Sequence, residues 1–416
     1  MNFQAEIKSS PQPLMSERRV AILGAMLVAI GPISLALFTP AMPELVHAFG
    51  TTEAAVKLTI SCYFGGFAIT QLICGPLSDG FGRKPVTAIF LALYLAGSIF
   101  ALFAPTIEIL IAARVLQGCG AAVGVATSRA IVRDLFTKER SARIMNLVAL
   151  ILSVAPAVAP TLGGVTMELF GWEAIFILMV IAGLAILVVV QVGMTETVVR
   201  DTSRIKPKSI ARSYRTLLGD GYFVFSSLVL TGGAGAMYTQ ATLLPFILID
   251  RVGLTPTQFG VGMLTQSLSF VAGSLVMRRL MGRFGAYRLV PVGLTVMAIG
   301  GLMLAVLLRL YEPSYLLVMV PAACYAFGIS FTMPAMSTAS VAAYPHMAGS
   351  AAAMSGFLQM GGGLVGGLVS AAIGDPVLAQ STIIPLMGVM AIVSWLIWRT
   401  YPEPALAKVV LTRAEG

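Results

Sequence analysis

Charge is what this chain has least of. Only 11% of its 416 residues are Asp, Glu, Lys or Arg, where a soluble domain carries roughly 25%. That shortfall excludes an ordinary water-soluble fold. Histidine is nearly missing: His47 and His346 are the only two, and both read as surface residues at helix ends rather than proton relays. The four cysteines, Cys62, Cys74, Cys119 and Cys324, fall in apolar stretches without metal-ligand spacing, so they read as small buried hydrophobes. No nucleophile–base pair, metal cluster or phosphate loop is apparent, which argues against an enzyme and against a cofactor. The residues through Arg19 are polar and lack a small-residue cleavage site, so no signal peptide is expected.

What is abundant is apolar sequence. Hydrophobic residues make up 57% of the chain, mean hydropathy is +0.90, and there are 42 Gly and 22 Pro. That composition suits packed and broken membrane helices. Apolar runs of about 20 residues, the length that spans a bilayer, fall near 20–41, 54–76, 86–104, 107–129, 144–167, 172–193, 222–249, 257–277, 288–308, 315–339, 348–373 and 379–400. The expected fold is all-α, with twelve transmembrane helices in two pseudo-symmetric bundles. An N-tail (1–19) precedes the first bundle (20–194). A basic linker (195–221), a second bundle (222–400) and a C-tail (401–416) follow.

Basic residues orient this array. With the N-terminus inside, 23 of the 27 Lys and Arg lie in cytoplasmic segments, and only Lys57, Arg251 and Arg309 are assigned to outer loops. The asymmetry places both termini in the cytoplasm and explains the net charge of +9 without a nucleic-acid partner. The basic linker is expected to lie on the anionic headgroups of the membrane lipid.

One cation stays in the apolar region. Arg114 sits about two turns into its span, in Leu110-Ile-Ala-Ala-Arg114-Val-Leu-Gln117-Gly118-Cys-Gly120-Ala-Ala122. A guanidinium at that depth costs several kcal/mol unless it faces a bundle interior or a wet cavity. The halves also look related. Gly75-Pro-Leu-Ser-Asp79-Gly-Phe-Gly82-Arg83-Lys84-Pro85 follows the second span, and Gly273-Ser-Leu-Val-Met277-Arg-Arg-Leu-Met-Gly282-Arg283-Phe-Gly285 follows the eighth, with Met277 where the Asp would stand. Such a repeat points to a transporter with its site at the midplane.

These stretches resemble the major facilitator superfamily. Gly75–Pro85 is similar to that family's loop motif, and Leu110–Ala122 matches its fourth-span pattern at every fixed position. Ala155–Gly164 resembles its fifth-span antiporter motif, with Ala for two of the glycines. Two further segments, Pro32–Pro43 and Tyr344–Gly356, resemble the bicyclomycin-resistance branch of drug exporters. The resemblance implies an inner-membrane multidrug exporter of a bacterial cell. It would work as a monomer by alternating access, exchanging small-molecule drugs or toxins for protons. One departure stands out: Ala36 replaces the first-span Asp usual in that branch, and Phe38 replaces a nearby Tyr. An alternative is therefore a proton-independent or specific exporter of a neutral or anionic metabolite.

The substrate cavity is expected to include Phe38, Arg114, Gln117, Tyr238, Gln240, Phe246, Tyr325, Phe331 and Met333. Arg114 would face the cavity and orient a polar or anionic group, or it would be a structural Arg satisfied by Gln117 and carbonyls. Asp79 and Arg83 flank a tight turn supplied by Gly80 and Gly82, with Gly75 a turn earlier. Asp79 would latch onto the start of the eleventh span near Met347, or form only a local ion pair. Arg133 and Asp134 are candidates for an inner gate within an otherwise solvated basic loop. Pro156 and Pro160 would bend the fifth span, and Gly163 and Gly164 would let it pack closely. The glycine-rich eleventh span would be loosely wound or closely packed.

Overall fold

The computed structural model describes residues 14–136, 138–202 and 205–402, leaving aside the side chains at 138, 139, 142, 146 and 149–156. Most of both predicted tails falls outside these residues. Twelve long helices dominate: α1 (Glu17–Ala48), α2 (Glu53–Phe81), α3 (Arg83–Leu102), α4 (Ile107–Leu135), α5 (Lys138–Phe170), α6 (Glu173–Gly193), α7 (Gly221–Arg251), α8 (Pro256–Phe284), α9 (Ala286–Leu310), α10 (Tyr315–Ala342), α11 (Pro345–Ile373) and α12 (Pro376–Trp398). Among the described residues ten of these are long and apolar enough to cross a membrane by themselves, and α7 taken together with the bent helix before it, Pro207–Gly219, makes an eleventh. The remaining helix, α5, has 33 residues and includes the apolar stretch Ala157–Phe170. Several helices run past the apolar sequence at one end: α2, α4 and α8 continue through basic or polar residues to Phe81, Leu135 and Phe284.

The bundle has a basic end, with Arg83, Lys84 and the linker, and a far end at the other termini. A short helix in the linker, Pro207–Gly219, meets α7 at 81°. Small polar residues start several helices. Ser16 caps α1, Thr52 caps α2 and Asp220 caps α7, and Thr255 and Gln258 form a reciprocal box at the start of α8. Pro interrupts others: α1 passes through a tight turn at Thr39–Ala41, and α7 becomes a wider π-helix at Phe246–Arg251, just after Pro245.

Two hydrophobic cores organise the helices. One gathers residues from Met15 to Met194 together with Phe246 of α7, and the other gathers residues from Val229 in α7 to Ala391 in α12. The internal repeat is visible in the backbone. Gly82 (φ 102°) and Gly285 (φ 81°) occupy the same left-handed position, each just before a helix that continues the chain, a conformation that costs other residues strain.

The two sets of helices meet along two seams. α2 and α11 touch along much of their length, because glycines of α11 leave room for α2: Gly356 lies on Gln71, Gly363 on Phe64 and Gly367 on Ser61. The eleventh helix is therefore closely packed and regularly wound from Ala348 to Ile373, rather than loose. The α5–α8 seam lies toward the far end. A side chain on Gly164 would fall 2.2 Å from the Pro256 carbonyl, and one on Gly260 would fall 2.4 Å from the Pro160 carbonyl.

Candidate functional site

Arg114 occupies a closed box inside the first core. Glycines build it. Gly118 of α4 lies against the Tyr63 carbonyl of α2, and Gly120 lies against the Tyr94 backbone of α3; a Cβ at either would come within 2.3 Å of those atoms. This close approach brings Tyr63 against the guanidinium. The Arg114 guanidinium lies 4.4 Å from the Phe38 ring centre and 4.5 Å from that of Tyr63. It donates to Gln117 Oε1. Gln117 Nε2 in turn donates to Ser98 Oγ at 2.7 Å and approaches Met179 Sδ at 3.2 Å. Tyr63 is oriented by its bond to the Gly31 carbonyl at 3.1 Å, and Tyr94 by its 2.6 Å bond with Ser34.

The magnitudes make this arrangement sustainable. An Arg at the centre of a span costs on the order of 3 kcal/mol by insertion scales. Each aromatic face returns about 0.5–2 kcal/mol, and the amide bond adds a charge-assisted contribution of about 1.5–3 kcal/mol. Arg114 is 0% exposed, so the expectation that it opens onto a cavity is corrected for this conformation: two rings cover it. No carboxylate pairs with it among the described residues, and its Nε and Nη2 have no hydrogen-bond partner there.

The far end holds a second cation that sequence reasoning misplaced. Lys57, assigned to an outer loop, is fully buried one turn inside α2. Its Nζ donates to the Gly374 carbonyl at the end of α11 (2.9 Å), pairs with Glu53 at 3.3 Å and lies 5.2 Å from the Phe246 ring. A helix C-terminus favours such a cation. Across the other seam, Glu168 of α5 accepts from the Thr257 backbone N–H (3.0 Å) and hydroxyl (2.8 Å) of α8. These hydrogen bonds tie the halves together at the far end.

At the basic end Arg83 is 3% exposed and joins three segments. It pairs with Asp79, bonds Asp134 of α4 at 3.1 Å and donates to Ser78 Oγ at 2.8 Å. Arg133 lies at 4.0 Å from Asp134. Glu196, which sequence reasoning did not single out, accepts from the Arg83 and Lys84 backbone N–H groups at 2.9 and 3.1 Å. It thereby caps α3 from the linker, where a carboxylate is favoured. In this conformation Asp79 takes the local pairing with Arg83. The signal for Glu196 was its place in the linker, but the contact spans more than a hundred residues and has no sequence pattern.

The other expected cavity residues divide among separate places. Tyr238 of α7 packs at a tilt on Phe64 of α2, ring centres 5.0 Å apart, with Gly363 of α11 against both, and Phe246 is built into the first core. Gln240 accepts from Gln266 of α8 at 2.9 Å. Tyr325 lies in the second core, its hydroxyl bonded to the Gly232 carbonyl at 2.8 Å. Phe331 packs with Phe327, Met277 and Leu289, and Met333 is exposed on the surface. Helix geometry explains the scatter: at about 100° per residue, positions 325, 331 and 333 cannot share one face. Gly163 lies against the Leu37 carbonyl of α1, and Gly164 against Pro256 of α8. Gly75 meets nothing within 4 Å of an added Cβ, and the Pro156 side chain lies outside the described residues.

Comparison with known proteins places this architecture. The family model described as Major Facilitator Superfamily matches residues 23–367 and 227–412. The chain is 30% identical over 376 residues to the Bacillus subtilis protein named Uncharacterized MFS-type transporter YdgK, covering 89% of this chain and 91% of that one. It is 24% identical to Multidrug resistance protein D of Escherichia coli, covering 89% of this chain and 93% of the relative. It is 26% identical to the Bicyclomycin resistance protein homolog of Haemophilus influenzae, covering 83% and 87%.

Proposed function

The chain belongs to the major facilitator superfamily and is similar to its bicyclomycin-resistance branch; from that premise we propose that it exports drugs or other xenobiotics by alternating access, in exchange for protons. The halves 20–194 and 222–400 rock about the linker 195–221. The basic end is cytoplasmic and the membrane is the bacterial inner membrane, with the protein acting as a monomer and not as an enzyme. The observation that carries the reading is the position of the ties between the halves: Lys57–Gly374 and Glu168–Thr257 both lie at the far end. These ties fit a carrier held closed at the far end. Relatives named for multidrug and bicyclomycin resistance supply the substrate class.

Drug-susceptibility profiling of cells with and without the protein, paired with efflux from inverted vesicles, tests this. Raised tolerance to several unrelated drugs, and uptake into the vesicles that stops when the pH gradient is collapsed, are expected. Tolerance unchanged for every drug removes the export reading.

A second reading is favoured by one observation. Arg114 has no acidic partner among the described residues, and Ala36 stands where the branch usually has an acid. A specific exporter of a neutral or anionic metabolite, without proton exchange, fits that balance of charge. Transport of such solutes that survives collapse of the pH gradient would select it.

A further inference from the structure

The α2–α11 seam carries a feature that neither transport nor gating uses. On the lipid-facing side of α2, α11 and α12 lies an apolar groove of about 680 Å³. Its walls include Gly65 and Ile69 of α2, Phe357, Gly361 and Val365 of α11, and Met390 of α12. The groove thus spans both halves of the protein. Membrane helices cannot leave such a slot to water; in a bilayer an apolar chain fills it.

The linker helix Pro207–Gly219 sits beside the groove. Its Leu217 is buried in a cluster with Phe223, Ala351 and Met354, and Phe357 and Leu358, which also line the groove, pack on that cluster. Tyr214 fixes the helix in place. Pro76 of α2 lacks an N–H, so the Leu72 carbonyl four residues earlier has no helical donor. The Tyr214 hydroxyl donates to that carbonyl at 2.5 Å. Burial pushes the Tyr214 phenol up to about 12, so it remains a donor at neutral pH. The opposite face of the same helix carries Lys208, Arg212 and Arg215, all exposed. Their i, i+4, i+7 spacing gathers them into one stripe. One helix therefore carries both features: its inner face packs beside the apolar slot, and its outer face bears the three charges, whose long stems can reach around it toward the headgroups.

We propose that this seam is a binding site for one anionic phospholipid, its acyl chain in the α2–α11–α12 groove and its phosphate on the Lys208–Arg212–Arg215 stripe. Long basic side chains extend along apolar surface to reach the interface, and basic residues next to a membrane attract anionic headgroups. The bound lipid touches both halves at once and so links membrane composition to their relative position. The site depends only on the chain lying in a membrane with its basic end at a lipid surface, and not on what the protein exports.

Native mass spectrometry of the purified full-length protein tests it without any transport substrate, with dioleoylphosphatidylglycerol and dioleoylphosphatidylcholine as probes. The wild type is expected to retain phosphatidylglycerol in preference to phosphatidylcholine. Each charge removed weakens phosphatidylglycerol about fivefold, so Lys208→Gln/Arg212→Gln/Arg215→Gln together lower its affinity roughly a hundredfold, to the level of phosphatidylcholine. Gly361→Leu tests the slot: an added Cβ there meets nothing within 4 Å, so the variant folds while its side chain occupies the groove, and both lipids are lost. Equal retention of the two lipids by the wild type overturns the proposal. Undiminished phosphatidylglycerol in either variant does the same, as does uptake of an uncharged apolar solute in place of lipid.

Discussion

Replacing Lys57 with Met probes the far-end closure most directly. Met keeps the length and apolar stem of the side chain and removes its charge. The change deletes the 2.9 Å bond to the Gly374 carbonyl, which is the tie from α2 to the end of α11. Hydrogen bonds with a charged partner contribute about 1.5–3 kcal/mol net. The same substitution strips Glu53, whose Oε2 is buried and has no hydrogen-bond donor other than this lysine's ion pair, so the closed state loses further. Every part of this cost falls on the far-end-closed state, because opening there exposes both groups to water. The ratio of far-end-closed to far-end-open molecules should fall about 10- to 150-fold. Spin labels at Pro105 and Glu312, exposed on opposite halves at the far end, would report this by pulsed electron resonance in a cysteine-free background. The wild type should give one short-distance population, and Lys57→Met should add a longer one. An unchanged distance distribution, at equal membrane level and thermal stability, would refute the assignment of Lys57 as the tie.

Three further expectations follow from other contacts. Arg114→Lys should cut export at least tenfold at equal expression, because an ammonium cannot stack between Phe38 and Tyr63 while bonding Gln117; export at the wild-type rate would show that the planar fork is not needed. Gly164→Ala should destabilise the protein by about 1–3 kcal/mol, since its Cβ would meet the Pro256 carbonyl at 2.2 Å, whereas Gly75→Ala, in open space within α2, should be neutral or stabilising by about 0.5–1 kcal/mol; paired thermal-unfolding curves in detergent check the contrast. Glu196→Gln should cost about 0.5–2 kcal/mol through the weakened cap on α3, read as a lower melting temperature, with Thr197→Ala, whose hydroxyl reaches Asp134 at 3.0 Å, as a smaller effect on the same network.

Much of the fold was legible because lipid imposes a simple rule: a span must be about 20 apolar residues long and must satisfy its own backbone. The twelve runs and the turns at Gly82 and Gly285 follow from local sequence alone. So does the position of Arg114 beside Gln117, one helical turn apart. Helix rotation was not legible. In a membrane the lipid and the protein interior are equally apolar, so periodicity does not say which face is inside. That is why Tyr325, Phe331 and Met333 were grouped as one lining and are found in a core, between helices and at the surface.

The sequence by itself determined the class, the helix count and the basic asymmetry, because each depends on composition within a short window. The tertiary structure decided which charges act together. Lys57 reaches Gly374 across 317 positions, Arg83 reaches Asp134 across 51, and Tyr214 reaches the Leu72 carbonyl across 142. Such pairs form only where packed helices bring distant segments within 3 Å or so, and no local pattern encodes that distance.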